Sequence, residues 1–340
     1  MNTITPTTQN EIILSESLPM DQNPAAVFLA SKKANTRRVY QADLEQIASL
    51  VGAPDPFVCN WAALRYQHTA AIRTMLTETI SPKTGKPLAH TTINRMLSVL
   101  RGVLEKAWLL GYMSSDDYLK ATRIETVTGS TLPAGRAVPS GELKAVMAEC
   151  ESDPITTAGI RDAAIIGVSY SGGLRRAELA GLDLDDCTYN QETGEWSLKI
   201  LGKRNKERVT FINNGAGDAL SDWVAIRGDE PGPLFLRINK SGKFETDENG
   251  ERIYNRITTQ AIYNIMEKRG KQAKVKSFSP HDLRRSYISD LLDEGVDIST
   301  VAKMAGHSSV TTTARYDRRD EKAMQAASKR LSVPYTRRMG

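Results

Sequence analysis

Cysteine is scarce: the 340 residues include three, Cys59, Cys150 and Cys187, far apart and without a CxxC pair. That spacing argues against a disulfide framework and against a zinc site, and fits a reducing compartment. No uninterrupted apolar run is long enough to span a bilayer. The N-terminus also lacks the basic stretch followed by an apolar one that marks a signal peptide. The expectation is a soluble cytoplasmic protein with no membrane partner. No internal repeat is visible, and the acidic cluster of a two-metal nuclease is not evident.

Charge is nearly balanced, with 45 Lys and Arg against 40 Asp and Glu. The distribution is less even. Residues 268–285 hold seven bases and one acid, Asp282, and residues 315–340 hold eight bases and three acids. Such runs are either solvated helix faces or local phosphate-binding patches.

At roughly 150 residues per domain, this length predicts two domains. Residues 1–23, rich in Thr, Asn, Gln and Ser, read as a flexible tail. Residues 24–125 read as helical, with apolar residues at three- and four-residue spacing over 26–50, 61–79 and 90–110. Residues 126–139, with clustered Gly and Pro, read as the linker. Residues 140–320 start helical, show strand alternation at Trp196, Leu198, Ile200 and at Val209, Phe211, then return to helices. Residues 321–340 read as a tail with a short amphipathic helix. The fold class is therefore mainly α with a small antiparallel β-sheet.

Five features follow one another in the second domain. In Ser171-Gly172-Gly173-Leu174-Arg175-Arg176-Ala177-Glu178-Leu179 the glycines end one helix, and Arg175 opens the next with Glu178 three residues on, within reach of its guanidinium. Leu201-Gly202-Lys203-Arg204-Asn205-Lys206-Glu207-Arg208 lies between the two alternating runs, as the basic tip of a hairpin. In Ser279-Pro280-His281-Asp282-Leu283-Arg284, Ser279 suits an N-cap and Pro280 the first helical position. His281 and Arg284 then share one face at a helix end that favours anions. In Met304-Ala305-Gly306-His307-Ser308, Gly306 suits the end of a helix and His307 the corner after it. Tyr316 follows nine residues later. Singly, each feature is as readily a surface ion pair, a charged turn, a structural histidine or a packed tyrosine. Together, two arginines, two histidines and a lysine are the groups that hold a phosphodiester, and a tyrosine is a suitable nucleophile where the product stays covalently attached.

The order Arg175, Lys203, His281, Arg284, His307, Tyr316 resembles the tyrosine recombinase, or phage integrase, family, and so do the contexts GLRxxEL, GKxxKxR, HxLR and GH. Residues 35–44 and 91–101 resemble helices of its core-binding domain. The resemblance spans about residues 25–330. It implies an all-helical, SAM-like core-binding domain and an α+β catalytic domain, closing as a C-shaped clamp on DNA. It implies that Arg175 and Arg284 clamp the scissile phosphate, that Lys203 protonates the leaving oxygen, and that His281 assists proton transfer. His307 would donate to a phosphate oxygen, Tyr316 would attack phosphorus, and Glu178 would orient Arg175. No metal and no cofactor is needed, because the phosphotyrosine conserves the bond energy. The implied partners are double-stranded DNA with a specific recombination site and further copies of the chain, a dimer on each site and a tetramer in the synapse. Accessory DNA-bending proteins are a further implied class. Arg37, Arg95, Arg101 and Arg204 are candidates for DNA contact. A non-cleaving DNA-binding regulator and a type IB topoisomerase-like relaxing enzyme are the competing readings.

Overall fold

The computed structural model describes residues 13, 17–82, 84–129, 135–202, 206–317 and 328. The chain divides into two compact units, Met1–Thr131 and Leu132–Gly340.

The first unit is built from α1 (Pro24–Ala30), α2 (Ala34–Leu50), a 3-10 turn (Trp61–Ala63), α3 (Tyr66–Glu78), α4 (His90–Leu109) and α5 (Ser115–Thr122). The long α4 is its axis. Ile93, Met96, Leu97, Leu100, Val103, Leu104 and Ala107 recur at three- and four-residue steps and are all buried, which is the stripe a core-facing helix requires. The periodicity over residues 26–50 predicts one helix, but the structure breaks it between Ala30 and Ala34. The Ser31 hydroxyl donates to Phe28 O, and Arg37 reaches back to donate to Leu29 O and Lys32 O. These side chains satisfy the carbonyls that a helix end leaves open.

The second unit contains α6 (Ser140–Glu151), α7 (Thr156–Ser171), α8 (Arg176–Gly181), a 3-10 turn (Leu184–Asp186), β1 (Cys187–Asn190), β2 (Glu195–Leu201), β3 (Glu207–Ile212), α9 (Asn214–Arg227), α10 (Thr259–Gln272), α11 (Pro280–Asp293), α12 (Ile298–Ala305) and α13 (Val310–Ala314). Helix α7 is buried along most of its length, continuously from Arg161 through Ser169. A buried ion cluster ties it to α10: Arg269, fully buried, bonds Asp162 at 2.7 Å and Asp153 at 2.6 Å. The sheet is antiparallel in the order β1-β2-β3, and β2–β3 is the expected hairpin, with Trp196 opposite Ile212 and Ile200 opposite Arg208. On β2 the inward row is Trp196, Leu198 and Ile200, as the alternation predicts. On β3 the parity is reversed. Thr210 and Ile212 are buried, while Val209 and Phe211 are more than half exposed.

The ends of the 126–139 segment are both anchored. Asn94 brackets the Val127 backbone, donating to its carbonyl and accepting from its N–H. The Arg136 N–H donates to Asp282 at 2.8 Å, and the Val138 N–H to the Ser286 hydroxyl at 2.7 Å. Among the described residues no helix is long and apolar enough to cross a membrane.

Candidate active site

Helix α7 stops at Gly172, and Gly173 adopts φ +56°. A Cβ on Gly173 would strike the Tyr287 ring, so this turn requires glycine both for its conformation and for its space. The chain emerges in extended form at Arg175, the N-cap of α8. Glu178, three residues into the helix, accepts from the Arg175 N–H at 2.9 Å and from the Arg175 guanidinium at 2.7 Å. The same carboxylate receives two parallel bonds from Arg208 on β3, at 3.1 and 2.8 Å. Burial pushes the Glu178 carboxyl up, but the bonds from Arg208 and Arg175 outweigh it and hold the group at about 2.

These arginines converge on the end of α12. Gly306 takes the left-handed conformation, φ +64°, that closes a helix. Three successive carbonyls at this end each meet a guanidinium. Met304 O accepts from Arg208, Ala305 O from Arg284 and Gly306 O from Arg175. Helix C-terminal carbonyls lack intrahelical donors and carry the negative end of the dipole, so cations are favoured there. Arg284 also donates to Gly173 O, and so joins the two glycine turns. It is 2% exposed, and burial followed by repulsion from Arg175 lowers its guanidinium to about 10, still charged at neutral pH.

His307 follows directly. Its ring Nδ1 lies 2.8 Å from the Thr313 hydroxyl, and its pKa is pulled down to about 4 by burial, then by Arg284, Arg175 and Arg208. The Tyr316 ring stacks near it, with centroids 5.9 Å apart. His281 is exposed on the first turn of α11, beneath a capping box in which Asp282 accepts from the Ser279 N–H and hydroxyl. Although the side chain reaches solvent, desolvation by the atoms around the ring lowers its pKa, Asp282 opposes the change, and Arg285, Arg284 and Arg175 reinforce it.

A cavity of about 560 Å³ opens on this cluster, lined among others by Arg175, Lys206, Arg208, His307 and Thr312. Lys203 and Arg204 lie outside the described residues. Their flanks are described: Gly202 donates to Lys206 O at 2.7 Å, and both residues line the cavity. The structure thus gathers Arg175, Glu178, Arg284, His307 and Tyr316, with His281 on the same helix as Arg284. Arg208 stands at the end of the GKxxKxR context, yet the sequence alone assigns it no role. It is a charged side chain in the inward row of β3, a signal hidden by reading Val209 and Phe211 as that row.

The first-unit arginines have internal partners. Arg37 closes α1, Arg95 grips Asp43 through two bonds of 2.8 Å, and Arg101 donates to Thr122 O and Ile124 O. The expected amphipathic helix in 321–340 lies, Ser328 apart, outside the described residues.

Residues 136–323 match the phage integrase family. The chain is 32% identical over 298 residues to the tyrosine recombinase XerC of Thermodesulfovibrio yellowstonii, covering 85% of this chain and 87% of that one. It is 29% identical to XerC of Haemophilus influenzae, covering 82% and 84%. Its fold is similar to that of the XerH site-specific recombinase bound to palindromic difH substrate, with a TM-score of 0.61, 18% identity and coverage of 96% and 97%. It is also similar to that of the Tn1549 transposon integrase in complex with transposon right end DNA, with a TM-score of 0.60, 15% identity and coverage of 92% and 100%. The family match over more than half the chain and the XerC likeness over most of it give one conclusion: this chain belongs to the phage integrase family and is a tyrosine-type site-specific recombinase.

Proposed function

We propose that the chain cuts and rejoins double-stranded DNA at a specific site through a covalent 3′-phosphotyrosyl bond to Tyr316. The observation that carries this reading is the convergence of Arg175, Arg284 and His307 on one helix end, with the Tyr316 ring against His307. The two guanidiniums clamp the non-bridging oxygens of the scissile phosphate and stabilise the charge of the pentavalent transition state. The Tyr316 oxygen attacks phosphorus, the bond to the 5′ oxygen breaks, and the phenolic proton leaves with help from His281. Lys203 protonates the departing 5′ oxygen. His307 donates to a phosphate oxygen, and Glu178 fixes Arg175. Attack by a 5′-hydroxyl of the partner duplex reverses the chemistry and completes strand exchange.

In this reading residues 24–125 are the core-binding domain and 140–320 the catalytic domain. They form a clamp on DNA, two copies on each site and four in the synapse, with residues 321–340 docking on a neighbouring copy. The setting is the bacterial cytoplasm. The task is integration, excision or resolution of a DNA element.

The test is Tyr316→Phe on a nicked suicide substrate. Covalent protein–DNA adduct disappears, while binding to the same duplex persists. Adduct formed by the variant would refute the assignment.

A further inference from the structure

Helix α11 presents two adjacent rows toward the site. Residues three or four apart lie on one face of a helix, so His281 and Arg284 form one row and Arg285 and Ser289 the next. In the first row Arg284 bonds the Gly173 and Ala305 carbonyls. The second meets Tyr316. The Arg285 guanidinium carbon stands 5.4 Å from the Tyr316 ring centroid, and the Ser289 hydroxyl donates to Tyr316 O at 3.2 Å. Arg285 is 4% exposed and Ser289 5%, so on the helix side both contacts are shielded from bulk water, while Tyr316 itself is half-buried.

The remaining contacts of Tyr316 complete a seat. Its N–H donates to Thr313 O at 2.9 Å, and Thr313 in turn fixes the His307 ring that stacks on Tyr316. Its amide, its carbonyl and its ring are therefore each held by a different group. None of these contacts uses the phenolic oxygen.

We propose that Arg285 is a positioning residue that holds the Tyr316 ring for in-line attack, with Ser289 anchoring the same residue by its backbone. This rests on the reading of Tyr316 as the nucleophile. A cation over an aromatic face gains strength as it is desolvated, and here the Arg285 guanidinium is buried against a half-buried ring. Placement matters because a displacement of about 1 Å at the reacting atom costs about 100-fold in rate. Arg284 and Arg285 thus divide the labour of one rigid helix, the first registering the phosphate and the second the nucleophile. Their relative position is then set by helix geometry.

The experiment is single-turnover adduct formation on a nicked suicide substrate, with site affinity and Tm measured for each variant. Arg285→Gln lowers the rate about tenfold while affinity stays near that of the parent. Arg285→Lys restores most of the rate, since it returns the charge over the ring. The loss persists on a substrate whose scissile phosphate is replaced by a neutral methylphosphonate. Three results overturn the proposal: Arg285→Gln cleaving at the parent rate, Arg285→Lys no better than Gln at unchanged Tm, or a loss that vanishes on methylphosphonate, which would place Arg285 on the phosphate. Should Arg285→Gln fail to fold, Ser289→Ala removes the second anchor, and a several-fold loss of cleavage at parental Tm is expected. An unchanged rate there counts against the seat. Tyr316→Phe run in parallel separates the two ideas, because adduct from that variant sinks the nucleophile assignment itself.

Discussion

His307 is a base held neutral by its neighbours. Burial and three arginines bring it to about 4, below the ordinary imidazole value of 6.5, and His281 is shifted the same way. A folded value below the unfolded one means the unfolded chain binds the extra proton. The stability that His307 contributes is therefore complete above about pH 6.5 and is lost as pH falls toward about 4. A phosphate in the cluster reverses the electrostatics. It offsets Arg175, Arg208 and Arg284 and raises both imidazoles toward their charged, donating form. Binding of the cognate duplex at pH 5.5 should then take up about one proton per site. Calorimetry in two buffers of different ionisation enthalpy measures this, and a heat independent of buffer would mean that the imidazoles do not face the anion. At this scale the sequence was informative about chemistry and silent about wiring. Arg175, Glu178, Arg284 and His307 were legible because their spacing to glycines and caps is local. Arg208 was not, because its partner Glu178 is 30 residues away and only the strand pairing brings them together.

Among elements, the end of α12 is the part on which the site is assembled. Gly306 adopts a conformation that other residues enter only with strain, and a Cβ there would lie 3.0–3.2 Å from the Arg208 side chain. Gly306→Ala is expected to cost about 1 kcal/mol. For a unit the size of Leu132–Gly340, that is a drop in its Tm of about 2–4 °C. Cleavage should fall further than the stability loss explains, because shifting Arg208 loosens Glu178 and with it Arg175. Melting curves and adduct rates on the same preparation check this, and a variant that melts early yet cleaves normally would show that the Arg208 contact is dispensable. The helices on either side were readable from their ends: Ser279 with Pro280 for the start of α11, and Gly306 for the close of α12. The hairpin was readable as a hairpin but not in its facing. Val209 and Phe211 are apolar and Thr210 is not, so hydropathy alone assigned the wrong row. Pairing with β2 decided otherwise, since Thr210 lies opposite buried Leu198 and Ile212 opposite Trp196. The break between α1 and α2 escaped for a similar reason. Apolar spacing continues through it, and what stops the helix is a side chain, Arg37, folding back on the preceding carbonyls.

Over the whole molecule, a basic run proves different from a basic surface. Of the seven bases in residues 268–285, Arg269 is sealed in the ion cluster with Asp162 and Asp153, and Lys268 and Lys271 face Asp153 and Glu267. Arg284 and Arg285 are buried. Lys274 and Lys276 are the exposed remainder without an ion pair among the described residues, just ahead of the α11 N-terminus that carries His281. A net charge of +5 cannot by itself hold a duplex, so affinity must come from such local cations. Each lysine that neutralises a phosphate releases counterions and adds about 0.9 to the slope of log affinity against log salt. The double variant Lys274→Ala/Lys276→Ala should accordingly reduce that slope by about 1.8. It should weaken binding evenly across duplex sequences, since phosphate contacts carry no base information. Cleavage of fully bound substrate should be unchanged, because neither side chain belongs to the arginine cluster. Titrations between 50 and 200 mM salt, about the range over which several phosphate contacts change affinity by orders of magnitude, give the slope directly. A parental slope in the double variant would place the DNA on another face of the unit, and would leave the α11 N-terminus to meet its phosphate without these lysines.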